Sequence, residues 1–169
     1  MQHRVITLAV VAALIAAVAC SSDATTTPVS KIVTFKATMN GASELPTNTS
    51  TGTGTFTATL DTATNIFTYD LTFTGLSAVV TAGHIHGPAA TTASAGTTIN
   101  FGTLAGATFS LGATSGTARG VSTLNAANQI TANVNGDSLK KLLFAGLTYA
   151  NIHTTAFGGG EIRGQIIKQ

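Results

Sequence analysis

The most chemically pointed stretch of this chain is Gly83-His84-Ile85-His86-Gly87-Pro88, which places two imidazoles one residue apart. In an extended strand, side chains at i and i+2 leave the same face, so His84 and His86 stand side by side while Ile85 points into a core. Two imidazoles on one rigid face are half of a metal site. A third histidine, His153, lies in Tyr149-Ala150-Asn151-Ile152-His153. The same alternation puts Tyr149, Asn151 and His153 on one face, with Ala150 and Ile152 on the other. Three neutral imidazoles without a thiolate suit copper or zinc better than magnesium or calcium. The expected centre is therefore a surface site made by His84, His86 and His153.

Ligating imidazoles need an acceptor at their second nitrogen to hold the tautomer, and Glu161 and Asn151 are the candidates. As exposed groups titrating near ~6.5, the histidines would release metal on mild acidification. Alternatively they are structural, hydrogen-bonding Glu161 and the turn Phe157-Gly158-Gly159-Gly160 and so locking two distant strands. Glu161 and Arg163 share a strand face. They form either a solvated ion pair of little net worth or a charged lip beside the histidines. Tyr149 is read as packing.

The elements that must position these residues have period two. Val33, Phe35, Ala37 and Met39 alternate with polar residues up to Asn40-Gly41, and Glu44-Leu45-Pro46 lies in the loop that follows. Phe56, Ala58 and Leu60, then Phe67, Tyr69, Leu71 and Phe73, make a hairpin across the turn Asp61 to Asn65. A strand from about Val80 to His86 is stopped by Gly87-Pro88, because proline cannot donate to a ladder. Ala89 to Gly96 is a small-residue loop, and strands follow at Thr97 to Phe101, Thr117 to Thr123, Thr148 to Thr154 and Glu161 to Ile167. In the last, Ile162 and Ile166 face inward, with Glu161, Arg163 and Gln165 outward. Glycine interrupts Gly102 to Gly116 too often for strand limits to be set there. Asp137-Ser138 opens the one helical candidate, with Leu139, Leu142 and Leu143 at helical spacing and Gly146 closing it. Many short strands with one short helix predict an all-β, antiparallel Greek-key sandwich or barrel.

Residues 1–19 read as an export signal: Arg4, then an apolar run from Val5 to Val18 broken only by Thr7. That run falls short of a typical span of ~20 apolar residues. It ends at Ala17-Val18-Ala19-Cys20, which resembles a lipoprotein cleavage box and contains the chain's one cysteine. Lipidation of Cys20, with two or more acyl chains, would hold the protein stably on a membrane. Residues 20–30, small and Thr-rich, are then a flexible tether, and 31–169 the folded domain. The expected address is exported and membrane-anchored, periplasmic or at the cell surface, and the outer membrane in a Gram-negative source. Without Arg4 the chain keeps seven basic and six acidic side chains. That balance has no basic patch for nucleic acid and too little charge for a disordered chain.

Four stretches resemble the chordin-type (CHRD) domain of bacterial secreted proteins and animal chordin. They are ATMNGASELP (37–46), residues 52–75, AGHIHGP (82–88) and YANIHTTAFGGGEIRGQ (149–165). The resemblance extends over Lys31 to Lys168. His-Ile-His-Gly and Asn-x-His-Thr…Gly-Glu-Ile-Arg-Gly are its most specific motifs. Ala150, where the family usually has Val, and Phe157, where it often has Pro, depart from it. The family is in turn distantly similar to copper/zinc superoxide dismutases, Greek-key sandwiches whose copper ligands include a His-x-His pair. That similarity implies copper-ligand positions for His84 and His86, a later-strand ligand for His153 and a guiding arginine for Arg163. The zinc-loop histidines, bridging imidazole and disulfide of those enzymes are missing.

No Gly-x-Ser-x-Gly elbow, phosphate loop or free thiol nucleophile is present. The expected role is an extracytoplasmic binding protein, with a copper or zinc ion as cofactor. Two alternatives are a protein-interaction module with an envelope or extracellular partner and a copper-only oxidoreductase acting on superoxide.

Overall fold

The computed structural model describes residues 29–127, 129–131 and 134–169. The leader read at 1–19, Cys20 and nearly all of the tether lie outside the described residues. In chain order the strands are β1 (Ile32–Asn40), β2 (Thr53–Asp61), β3 (Ile66–Thr74), β4 (Val80–His86), β5 (Thr97–Asn100), β6 (Thr108–Phe109) and β7 (Gly116–Thr123). The small hairpin β8 (Gln129–Thr131) and β9 (Val134–Asn135) leads into α1 (Gly136–Phe144). The chain finishes with β10 (Thr148–Thr154) and β11 (Ile162–Lys168).

Nine strands make one antiparallel sheet in the order β5-β4-β10-β11-β1-β2-β3-β7-β6, curled into a half-barrel. This meets the expectation of an antiparallel all-β sandwich or barrel with a single short helix. The curl follows from the alternation. β1 buries Val33, Phe35, Ala37 and Met39, and β2 buries Phe56, Ala58 and Leu60. The register sets Phe56 opposite Leu71 and Leu60 opposite Phe67, so apolar side chains line the concave face. Each fully buried Phe or Leu contributes about 1.5–3 kcal/mol. The hairpin turn forms because Asp61 Oδ1 accepts the Ala63 N–H at 2.8 Å and Asn65 takes a positive φ of 58°, which asparagine tolerates.

Helix α1 closes one end of the core. It is capped by Asn135, whose side chain accepts the Ser138 N–H at 2.9 Å, and buries Leu139 and Leu143. Gly146, at φ 66°, follows its end. Three strands escape a period-two reading for a physical reason: β6 and β9 have two residues each and β8 has three, too few to show an alternation.

The register of β4, β10 and β11 decides which side chains meet on the convex face. Asn151 lies opposite His84 on one side and Arg163 on the other. Tyr149 lies between His86 and Gln165 in the same way, and His153 is opposite Ala82. Glu161 directly precedes β11. It and Arg163 do leave the core, as the alternation predicts, yet they are only 0% and 2% exposed. They are not a solvated pair, because loops cover this part of the sheet.

Candidate metal centre

Three segments roof the convex face of β4-β10-β11. The first is the loop 41–52, opened by a 3-10 turn at Gly41–Ser43. The second is the small-residue loop 87–96, and the third is the turn 157–160. The loop 87–96 is fastened by Arg163, whose guanidinium donates to Ala93 O at 2.7 Å and Ala90 O at 3.4 Å. Gln165 Nε2 adds a bond to Ala89 O at 2.8 Å. Asn48 Nδ2 ties the first loop to the third by donating to the carbonyls of Gly160 and Glu161, at 3.3 and 3.1 Å. Small side chains at 89–96 let the backbone come close enough for its carbonyls to serve as acceptors.

Under this roof the three predicted histidines converge. His84 and His86 leave β4 on one face, and their ring centres are 5.2 Å apart. His153 comes from β10, with its ring centre 4.9 Å from that of His84. One ring nitrogen from each residue lies within 4.8 Å of the others. Backbone carbonyls fix the tautomers of two of the rings. His86 Nδ1 donates to Ala95 O at 3.0 Å, and His153 Nδ1 donates to Gly158 O at 2.9 Å. Both rings therefore carry their lone pair on Nε2. His84 Nδ1 is 3.0 Å from His153 Nε2, so in the metal-free site it donates to that lone pair. His86 Nε2 is buried and has no hydrogen-bond partner among the described residues.

That orphaned nitrogen is the test of fit for a cation. A buried acceptor without a donor costs on the order of 1–3 kcal/mol, and an ion held among the three rings would satisfy it while displacing the His84–His153 hydrogen bond. Two nitrogens on one copper or zinc ion, each at ~2.0–2.1 Å, can be no more than ~4.2 Å apart. The widest pair, up to 4.8 Å apart, must close by at least about 0.6 Å, and by about 1.4 Å for a tetrahedral ion. The donor set fits copper or zinc.

The rings are half-buried rather than exposed, which corrects the expectation of ordinary titration. Burial, then the neighbouring His153 and His86, pull the pKa of His84 down to about 4. Burial also lowers His86 against the opposing pull of the Ala95 carbonyl, with smaller lowering by His153 and then Arg163, and lowers His153 against the opposing pull of the Gly158 carbonyl. All three imidazoles are held more neutral, and so more competent as ligands, than a free histidine at the same pH.

The predicted tautomer-holding residues are placed elsewhere. Glu161 does not reach a ring; its carboxylate accepts Ser50 Oγ–H and the Ser77 N–H through Oε1 and Thr154 Oγ1–H through Oε2, each at 2.6 Å. Burial pushes its pKa up, but bonds from Ser50, Thr154 and Ser77 outweigh that and hold the carboxyl low. Asn151 Nδ2 donates to Glu44 Oε1. The acceptors that hold the histidines are the backbone carbonyls of Ala95 and Gly158. Side-chain chemistry gives no signal for them, and only the small-residue loop and the glycine turn hinted that backbone approaches there.

Two further residues gain importance. Tyr149 is more than packing. Its ring is stacked on His86 at 4.8 Å and 5°, and Arg163 Cζ sits 3.5 Å above its centre. The Tyr149 hydroxyl meets the backbone of Ala95, whose N–H donates to it at 3.3 Å. Glu44 is only 4% exposed. Its pKa is raised to about 7 by burial, against the lowering pull of Arg163, the Leu45 N–H and Asn151.

A model of the CHRD domain matches residues 35–166, a range that holds all three histidines, Tyr149, Glu161 and Arg163. No curated protein and no solved structure showed a significant match to the chain.

Proposed function

The chain belongs to the CHRD-domain family, and from that premise we propose that it is an extracytoplasmic metal-binding protein that holds one copper or zinc ion on His84, His86 and His153. The observation that carries this is the convergence of three neutral ring nitrogens, one of them buried without a partner. The bound ion would be a Lewis-acidic or redox-active centre. The chain's own residues orient the rings, keep them unprotonated and exclude bulk water from the Nε2 of His86.

Titration of the full chain with Zn(II), Cu(I) and Cu(II) tests this. One ion per chain is expected, and His86→Ala should weaken binding by well over the ~10–100-fold that removal of an outer-shell partner costs. Binding that survives both His86→Ala and His153→Ala would sink the three-histidine centre.

The His84–His153 bond of 3.0 Å also favours a second, purely structural use of these rings, as a clasp between β4 and β10. On that account zinc and copper do not bind, and His153→Ala lowers stability without any ligand effect.

Sequence alone supports an anchor at Cys20 and an exported address. Intact mass of protein from the membrane fraction of its host would show acylation, and a Cys20→Ala chain should lack the added mass.

A further inference from the structure

Three imidazoles bring no negative charge to an ion, so the nearest full charges decide which ion is preferred. Glu161 spends its carboxylate on Ser50, Ser77 and Thr154. Glu44 is buried and lies on the far side of Asn151, to which it is hydrogen-bonded. Arg163 is different. It is 2% exposed and cannot swing into solvent, because its guanidinium is pinned by the carbonyls of Ala93 and Ala90 and by the Tyr149 face. Through that ring it is stacked in line with His86, so its cationic carbon lies no more than about 8 Å from the His86 ring centre.

We propose that Arg163 acts through the Tyr149 stack as a charge selector, tuning the three-histidine centre toward singly charged copper and against divalent ions. The inference rests on the metal-binding function above and names the ion class. A fixed cation repels a divalent ion twice as strongly as a monovalent one. An ion bonded to the His86 ring lies about 3 Å beyond its centre, so the two charges are at most about 11 Å apart, and at an effective dielectric of about 20 the difference amounts to roughly tenfold in relative affinity. Copper(I) is also content with three nitrogen ligands, whereas divalent ions would seek a fourth. Arg163 is thus a positioning and specificity residue that touches no ion itself.

The experiment measures two affinities of the full chain, for Cu(I) by competition with bicinchoninate and for Zn(II) by competition with a chromophoric chelator. Wild type is compared with Arg163→Met, which keeps bulk over Tyr149 but removes the charge. The ratio is the readout, because loss of packing alone would weaken both ions alike. In Arg163→Met the Zn(II):Cu(I) affinity ratio should rise roughly tenfold. Glu44→Gln provides a second handle if Arg163→Met does not fold. At pH 8 it removes a partly compensating anion beside Arg163, and the ratio should move the opposite way. A ratio unchanged in both variants overturns the selector while leaving the metal site standing. Failure of wild type to bind either ion overturns the site and the selector together.

Discussion

One sheet carries two convex faces of contrasting character. Over β1, β2, β3 and β7 the outward side chains are mostly threonines in facing ladders, Thr34 opposite Thr59, Thr38 opposite Thr55, Thr59 opposite Thr68 and Thr72 opposite Thr117. They are largely open to solvent. Over β4, β10 and β11 the outward side chains include His84, His86, Tyr149, Asn151, His153, Arg163 and Gln165, and loops cover most of them in whole or in part. Strand geometry is the same in both halves. A face left bare asks only for β-propensity. A face under a roof must satisfy most of the polar atoms it buries, with His86 Nε2, Asn151 Oδ1 and Gln165 Oε1 left over, and that demand orders the side chains tightly enough to make a site. The concave core relies on apolar area, while the roofed face relies on hydrogen bonds and charge placement.

Substitutions in each region can break this contrast. The largest effect belongs to the concave core: Phe56→Ala, at a fully buried ring stacked on Tyr69, should cost about 3–5 kcal/mol in urea unfolding. Glu161→Ala should follow at about 3 kcal/mol, since it strands Ser50, Thr154 and the Ser77 N–H together. A loss below about 1 kcal/mol would show that the roofed face is not held as described. Gly160→Ala should cost about 1–3 kcal/mol. Gly160 has φ 134°, and a Cβ there would collide with Glu44 Oε1 and Asn151 Nδ2. Thr57→Ala, on the bare face, should change stability by less than about 0.5 kcal/mol.

Acidity sharpens the comparison within the roofed face itself. In metal-free protein the histidines have lowered pKa values, so their contribution is complete above the ordinary histidine range. It is lost as pH falls from about 6.5 toward the value of about 4 for His84. Glu44 acts in the opposite sense. Its pKa is raised from 4.5 to about 7, so its contribution is complete below 4.5 and lost as pH rises through 7. The two trends partly cancel between pH 4.5 and 6.5. Glu44→Gln should remove the second and steepen the loss of stability on acidification, as read by urea midpoints across that range. His84→Ala should flatten it. If neither variant changes the slope, these groups are not held as the structure places them.

Much of this was legible beforehand. The strands around Phe35, Phe56 and Tyr69, the hairpin turn at Asp61–Asn65 and the helix of Leu139 and Leu143 are all local patterns, set by alternation, turn chemistry and capping. The pairing of His84 with His86 is local too, because a strand puts i and i+2 on one side whatever surrounds it. The burial of Glu161 and Arg163 is invisible to such patterns, since both follow the outward alternation and become buried only when distant loops fold over them. The same holds for Glu44, read as a loop residue, and for Tyr149, whose stack needs β4, β10 and β11 in register.

The linear order of residues was thus sufficient for which side chains leave which face, and for the identity of the three imidazoles. Their meeting, their tautomers and their depressed basicity came only with the tertiary structure. Those properties depend on the Ala95 and Gly158 carbonyls. Where a carbonyl points is a matter of how the chain is folded, not of which residue bears it.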